Sequence, residues 1–189
     1  MILPLFRRNR QPDTISSLYG MIVAQARTPV FYREYGVPDT IAGRFDLLLL
    51  HVALVVERLM REEPAKAFGQ ELFDRFCTDM DDNLREMGIG DLSVPKHMKR
   101  VGEAFYGRSQ AYQVALGAHG DGALAEAVIR NVYGGAAPAP GAAERLAAYI
   151  RRVAEVLDRH PLPELTAGRI VLPNPDAVPA ALEQVGPRD

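Results

Sequence analysis

Cysteine is almost absent from this chain. Cys77 stands alone among 189 residues, so no intrachain disulfide can form, and there is no Cys-x-x-Cys for structural zinc or redox exchange. A single thiol fits a reducing compartment, and on an apolar helix face it reads as inert packing. Tryptophan is missing altogether. No apolar run approaches the roughly 20 residues of a membrane-spanning helix. The most apolar window, Leu47–Val56, is broken by His51 and reads as core. Neither sign of charge dominates: 22 Lys and Arg against 24 Asp and Glu leave a net charge of −2, so no global field recruits nucleic acid.

Catalytic signatures are lacking too. His51, His97, His119 and His160 lie far apart, and none sits in a Glu-x-x-His pair of the di-iron bundles. There is no G-x-x-x-x-G-K-[ST] and no G-x-G-x-x-G after a strand; Gly88-Ile89-Gly90 is only a turn. Asp79, Asp81, Asp82 and Glu86 form an acidic group, but without a histidine and spread round more than half of a helix. The chain is therefore expected to have no catalytic residue, no metal and no cofactor. Its apolar start, Met1 to Phe6, is followed by Arg7, Arg8 and Arg10, the reverse of a secretory signal. Such a tip can touch an anionic membrane; a frayed tail is the plainer reading.

What is present is helical periodicity. Thr14–Arg27 fits a first helix capped by Asp13 or Thr14, with Ile15, Leu18, Tyr19, Ile22 and Val23 on one stripe. Pro29–Tyr35 reads as a short aromatic turn of helix. Asp39 or Thr40 opens a long helix to about Glu62, with apolar residues on two faces. Such a helix must be covered on both sides, which makes it the centre of the fold. Pro64 suits the first turn of the next helix, whose apolar half holds Phe68, Leu72, Phe76, Met80 and Met87, with Asn83 inside that arc. Val94 to Leu116 carries a seam of Val94, Met98, Val101, Phe105, Arg108 and Tyr112. Asp121–Tyr133 forms a further helix. Gly134–Gly141 is a linker, and Ala142–His160 is a last long helix, with Arg145 among its solvent-facing residues. The expected fold is all-α: a single compact domain of six or seven main helices with a short extended C-terminal segment. Residues 1–13 are expected to be a flexible tail, 14–173 the domain and 174–189 a loosely held tail.

The stretch Asp79–Arg108 stands out. A helix ends at Met87, glycines make a turn, and Ser93 and Pro95 begin another helix. The first end is acidic and the second start basic, each against the helix dipole at tenths of a kcal/mol per exposed charge, roughly. A solvated hairpin tip is one reading of this and a protein-recognising surface the other. Arg108 occupies an apolar slot and needs a carboxylate or carbonyl cage; leucine there is expected to remove function even if stability rises. Gly107, inside a helix, costs about 1 kcal/mol against alanine, and close approach of another backbone would account for it.

The same stretch carries a resemblance. Asp79-Met80-Asp81, Leu84-Arg85-Glu86-Met87-Gly88, Gly90-Asp91, Val94-Pro95-Lys96, Met98-Lys99 and Ala104-Phe105-Tyr106-Gly107-Arg108 resemble the signature of the ubiquinol–cytochrome c chaperone family. The likeness extends upstream to Arg44-Phe45-Asp46 and Leu50-His51-Val52, over about Ser16–Pro173. It implies an assembly chaperone that binds newly made cytochrome b, or a bc1 assembly intermediate, and holds it until it joins the complex. The residues it implies for partner binding are Asp81, Arg85, Asp91, Lys96, Lys99, Arg100, Tyr106 and Arg108. With no evident organelle-targeting extension, a bacterial, cytoplasmic protein is expected, with contact at the inner membrane as an option. The alternative is a helical binding protein for a lipid, quinone or haem, with His51, Asn83 and Arg108 lining its pocket.

Overall fold

The computed structural model describes residues 11–179, and among these there are eight α-helices, one short 3-10 turn and no strand. The helices are α1 (Gln11–Ala26), α2 (Val30–Arg33), α3 (Ile41–Met60), α4 (Glu63–Glu86), α5 (Val94–Gly117), α6 (Gly122–Asn131), α7 (Ala142–Arg159) and α8 (Leu162–Thr166). None is long and apolar enough to cross a membrane. The charged N-terminal tip Met1–Arg10 lies outside the described residues.

The architecture follows from α3. Leu47, Leu49, Leu50, Val52, Val55 and Leu59 are fully buried, and α1, α4, α5 and α7 pack around them. Both apolar faces are covered, as the sequence requires. The Thr40 side chain accepts a hydrogen bond from the Gly43 backbone N–H at 3.1 Å, capping the helix. Gly43 is obligatory for a second reason: a Cβ there would lie 2.0 Å from the Pro38 carbonyl oxygen.

Helices α4 and α5 form a long antiparallel hairpin zipped by aromatic rings. The Phe73 and Phe105 centroids are 4.6 Å apart, and Phe76 joins Phe105 at 5.9 Å. Helix α7 docks on α6 and on α3 through Leu146, Tyr149, Ile150, Val153 and Leu157. The connection into α7 is the expected glycine-rich linker, with positive φ at Gly134, Gly135 and Gly141.

Several expectations are corrected. Helix α1 begins at Gln11, ahead of Thr14. Arg145 is not solvent-facing: it is buried, donating from Nε to the Val178 carbonyl at 2.9 Å, reaching Glu34 at 3.2 Å and stacking over Tyr35. Residues 174–179 are not a loose tail. Pro175 and Val178 are buried, and the Tyr35 hydroxyl donates to the Pro175 carbonyl at 2.7 Å. After Pro161 a further short helix, α8, forms with Pro163 in its first turn, where the sequence reading has none.

Candidate partner-binding surface

The tip of the α4–α5 hairpin is built by a helix-terminating motif. Gly88 takes φ 81°, its N–H donates to the Arg85 carbonyl at 2.9 Å, and the Ile89 N–H reaches back to Leu84 at 3.1 Å. This paired arrangement satisfies the last carbonyls of α4 and requires a left-handed residue, which glycine supplies without strain. Arg85 then draws the tip together. Its Nε binds Asp81 at 2.6 Å and its Nη1 binds Asp91 across the turn. The acidic end of α4 is thus partly neutralised by a cation of its own, and Asp79 is engaged by the Tyr19 hydroxyl at 2.8 Å. Lys96, Lys99 and Arg100 all face solvent. Lys99 approaches Glu103 only at 3.8 Å, and among the described residues Lys96 and Arg100 have no ion-pair partner. Leu92, 99% exposed, and Met87, 57% exposed, project between these charges. Met87 was expected on the apolar half of α4, but the helix outruns the core there.

Beyond the tip, α5 turns a different face to solvent. Tyr106, Gly107, Gln110, Gln113, Val114 and Gly117 are all exposed and none carries charge. Tyr106 is 64% and Val114 70% exposed. Beside them runs a groove of about 340 Å³, floored by Val56, Met60, Phe73 and Phe105 and edged by Gln70, Ser109 and Gln113. It continues into a second groove of about 380 Å³ between α3, α5 and α7. A Cβ on Gly107 would meet no atom within 4 Å, so none of the described residues uses the absence of that side chain.

Under the same helix lies the partner the sequence could not supply for Arg108. Its Nη1 sits 2.6 Å from Asp46 Oδ1 of α3, with the guanidinium over the Phe45 ring at 5.7 Å. The contact is an ion pair without a well-aligned hydrogen bond, for Nη1 has no hydrogen-bond partner of acceptable geometry. Burial raises the Asp46 carboxyl pKa, and Arg108 opposes that rise. The Tyr112 hydroxyl, one turn on, is buried and unpartnered, and burial pushes its pKa up. The pair ties α5 to the central helix, with the Arg108 side chain 23% exposed at the edge of the α5 surface.

Comparison with known proteins identifies the chain. The sequence model of the ubiquinol–cytochrome c chaperone family matches residues 33–172. The chain belongs to this family. A curated relative, ubiquinol-cytochrome-c reductase complex assembly factor 1 of Xenopus laevis, is 25% identical over 142 residues, 75% of this chain and 70% of that protein. The crystal structure of the Cbp3 homologue from Brucella abortus superposes with a TM-score of 0.85 at 41% identity, covering 95% of this chain and 100% of the other.

Within this chaperone fold, Asp81, Arg85, Asp91, Lys96, Lys99 and Arg100 gather at the hairpin tip, Tyr106 stands at the groove and Arg108 lies below it. The two pocket-lining candidates are corrected. Asn83 is exposed and donates its amide to the Asp79 carbonyl of its own helix at 2.6 Å. His51 lines neither of these grooves. It is buried, with Nδ1 2.7 Å from the Leu47 carbonyl and Nε2 2.9 Å from the Tyr149 hydroxyl. Since a carbonyl only accepts, Nδ1 carries the proton and the Tyr149 hydroxyl donates to Nε2. Gln25 in turn donates to Tyr149 at 2.9 Å. Desolvation lowers the His51 pKa to about 4. Asp46, Met60 and Phe73 are the surface and support residues that sequence reasoning did not assign to the site. Asp46 had one signal, its place in the upstream Arg44-Phe45-Asp46 match.

Proposed function

We propose that this protein is an assembly chaperone that binds newly made cytochrome b and promotes assembly of the ubiquinol–cytochrome c reductase complex. The observation that carries the reading is the uncharged face of α5 with its apolar groove, in a chain of a family of ubiquinol–cytochrome c chaperones. A membrane protein awaiting assembly exposes apolar helix, and shielding it takes an apolar groove open along one side. Methionine and aromatic side chains, here Met60, Phe73, Phe105 and Tyr106, adapt to helical targets. The charged tip supplies specificity and a route to release, because exposed ion pairs are weak and screened by salt. Contact with the membrane surface at which cytochrome b is made would follow from this role. The small-molecule alternative finds no comparable support: both grooves are open troughs, and neither His51 nor Asn83 lines them.

The test is recovery of bc1 subunits on the tagged protein from detergent-solubilised host membranes. Cytochrome b or an assembly intermediate should co-purify with the wild type. Lys96→Glu/Lys99→Glu/Arg100→Glu should keep the helical circular dichroism signal, since all three side chains face water, and recover several-fold less cytochrome b. Recovery of no bc1 subunit by wild type would overturn the reading. Undiminished recovery by the triple variant would remove the tip from the site.

A further inference from the structure

The two grooves adjoin and together make a trough. They share Glu57, Ser109 and Gln113, and they differ in chemistry at either end. One half is walled by Met60, Phe73, Phe105 and Tyr106. The other runs between α3, α5 and α7 over Ala53, Leu54 and Leu157, and is rimmed by charge. Those charges are not equally satisfied. Arg58 holds Glu62 at 2.6 Å and the Leu157 carbonyl at 3.0 Å. Arg61 holds Asp158 at 2.6 Å, and Arg151 holds Asp121 at 2.5 Å and the Gly120 carbonyl at 2.7 Å. Every arginine of the rim is occupied. The carboxylates of Glu57 and Glu155 are not: their nearest cations, Arg61 and Arg159, stand at 3.9 Å, beyond hydrogen-bonding distance. The polar half therefore presents two carboxylates, Glu57 and Glu155, that accept no hydrogen bond from the arginines beside them.

We infer that the trough receives the water-boundary end of a transmembrane helix, its apolar side chains against Met60, Phe73, Phe105 and Tyr106 and its flanking Lys or Arg on Glu57 and Glu155. Transmembrane segments end in such a junction, and their cytoplasmic flanks are enriched in Lys and Arg. An apolar groove alone would accept a helix in either direction. The carboxylates set the direction, Glu57 at the junction of the two grooves and Glu155 in the polar half, since reversal would move the cations to the aromatic end and leave both acids without them. The inference rests on the chaperone reading, and it adds which part of the client is held and which way it points.

The test uses the full chain and synthetic helices carrying an apolar segment with either a Lys-rich or a Glu-rich flank, with binding read by fluorescence anisotropy in mild detergent. The Lys-flanked helix should bind about tenfold tighter than its Glu-flanked twin, the scale of two partly exposed ion pairs gained or lost. That preference should shrink as salt rises. Glu57→Gln/Glu155→Gln should abolish the preference, while Tyr106→Ala should weaken both helices equally. Equal binding of the two helices by wild type, a salt-independent preference, or a preference that survives the double variant would overturn the inference. The salt series needs no variant to fold. If wild type recovers cytochrome b from membranes yet shows no flank preference, this assignment falls and the chaperone reading stands. If the preference holds while no bc1 subunit is recovered, the trough stands and the client is another membrane protein.

Discussion

His51 ties stability to pH. Its neutral ring accepts from Tyr149 and donates to Leu47, and it sits edge-on to Phe31 with centroids 5.6 Å apart. A proton on Nε2 would break the bond from Tyr149 and place a charge in the core. Because the folded pKa is lowered from 6.5 to about 4, the unfolded chain binds the proton more readily. The contribution is therefore fully present above pH 6.5 and lost as pH falls from there to about 4, amounting to about 3 kcal/mol at 1.36 kcal/mol per unit. Urea unfolding at pH 7 and pH 5 should show wild type losing about 2 kcal/mol more than His51→Gln over that interval; equal losses would remove His51 as the cause. Arg108 is paired with Asp46, so the structure argues that leucine there costs stability. Its removal leaves Asp46 buried against Phe45, so Arg108→Leu should lose about 2–3 kcal/mol at pH 7, and Asp46→Leu/Arg108→Leu should regain most of it. A stable single variant would show that water reaches Asp46 freely.

At the scale of elements, α5 carries a glycine that the fold does not need. Gly107 is exposed and its missing Cβ would touch nothing, so Gly107→Ala should raise stability by up to about 1 kcal/mol. If the space serves a partner's backbone, the same change should weaken recovery of cytochrome b; raised stability with undiminished recovery would leave Gly107 unexplained. The helices themselves were legible because period and breakers are local: Thr40, Pro64, Gly88 and Gly117 each mark a boundary within a residue or two of its place. What periodicity reports is which face is buried, never what covers it. That is why Arg108 was seen to need a partner and Asp46 was not seen to be it, and why Asn83, inside the apolar arc near the end of α4, proved to be wet. Arg145 misled for the same reason. Its charge suggested water, but α2 and the C-terminal segment close over it and leave it a carbonyl and a carboxylate.

At the scale of the molecule, the sequence supports one all-α body organised on α3, and its proline-rich end reads as loose because proline is barred from helix interiors and central strands. Prolines can still be anchored by what reaches them. Here Tyr35 bonds the Pro175 carbonyl and Arg145 the Val178 carbonyl, 140 and 33 positions away in the chain respectively, and no local pattern encodes such contacts. Truncation after Pro173 tests them. It would orphan the Tyr35 hydroxyl, leave Arg145 with Glu34 alone at 3.2 Å, and strip Val178 from the core. Unmatched polar groups at about 1–3 kcal/mol each and the lost burial of one valine give a loss of about 3 kcal/mol, or a fall in Tm of about 6–12 °C for a chain of this size. Calorimetry showing an unchanged Tm would mean the segment merely lies on the surface. The trough is built from α3, α4, α5 and α7, none of which the removed residues help to form except through Arg145. The truncated protein should therefore still recover cytochrome b at temperatures well below its lowered Tm, separating what holds the fold together from what the fold holds.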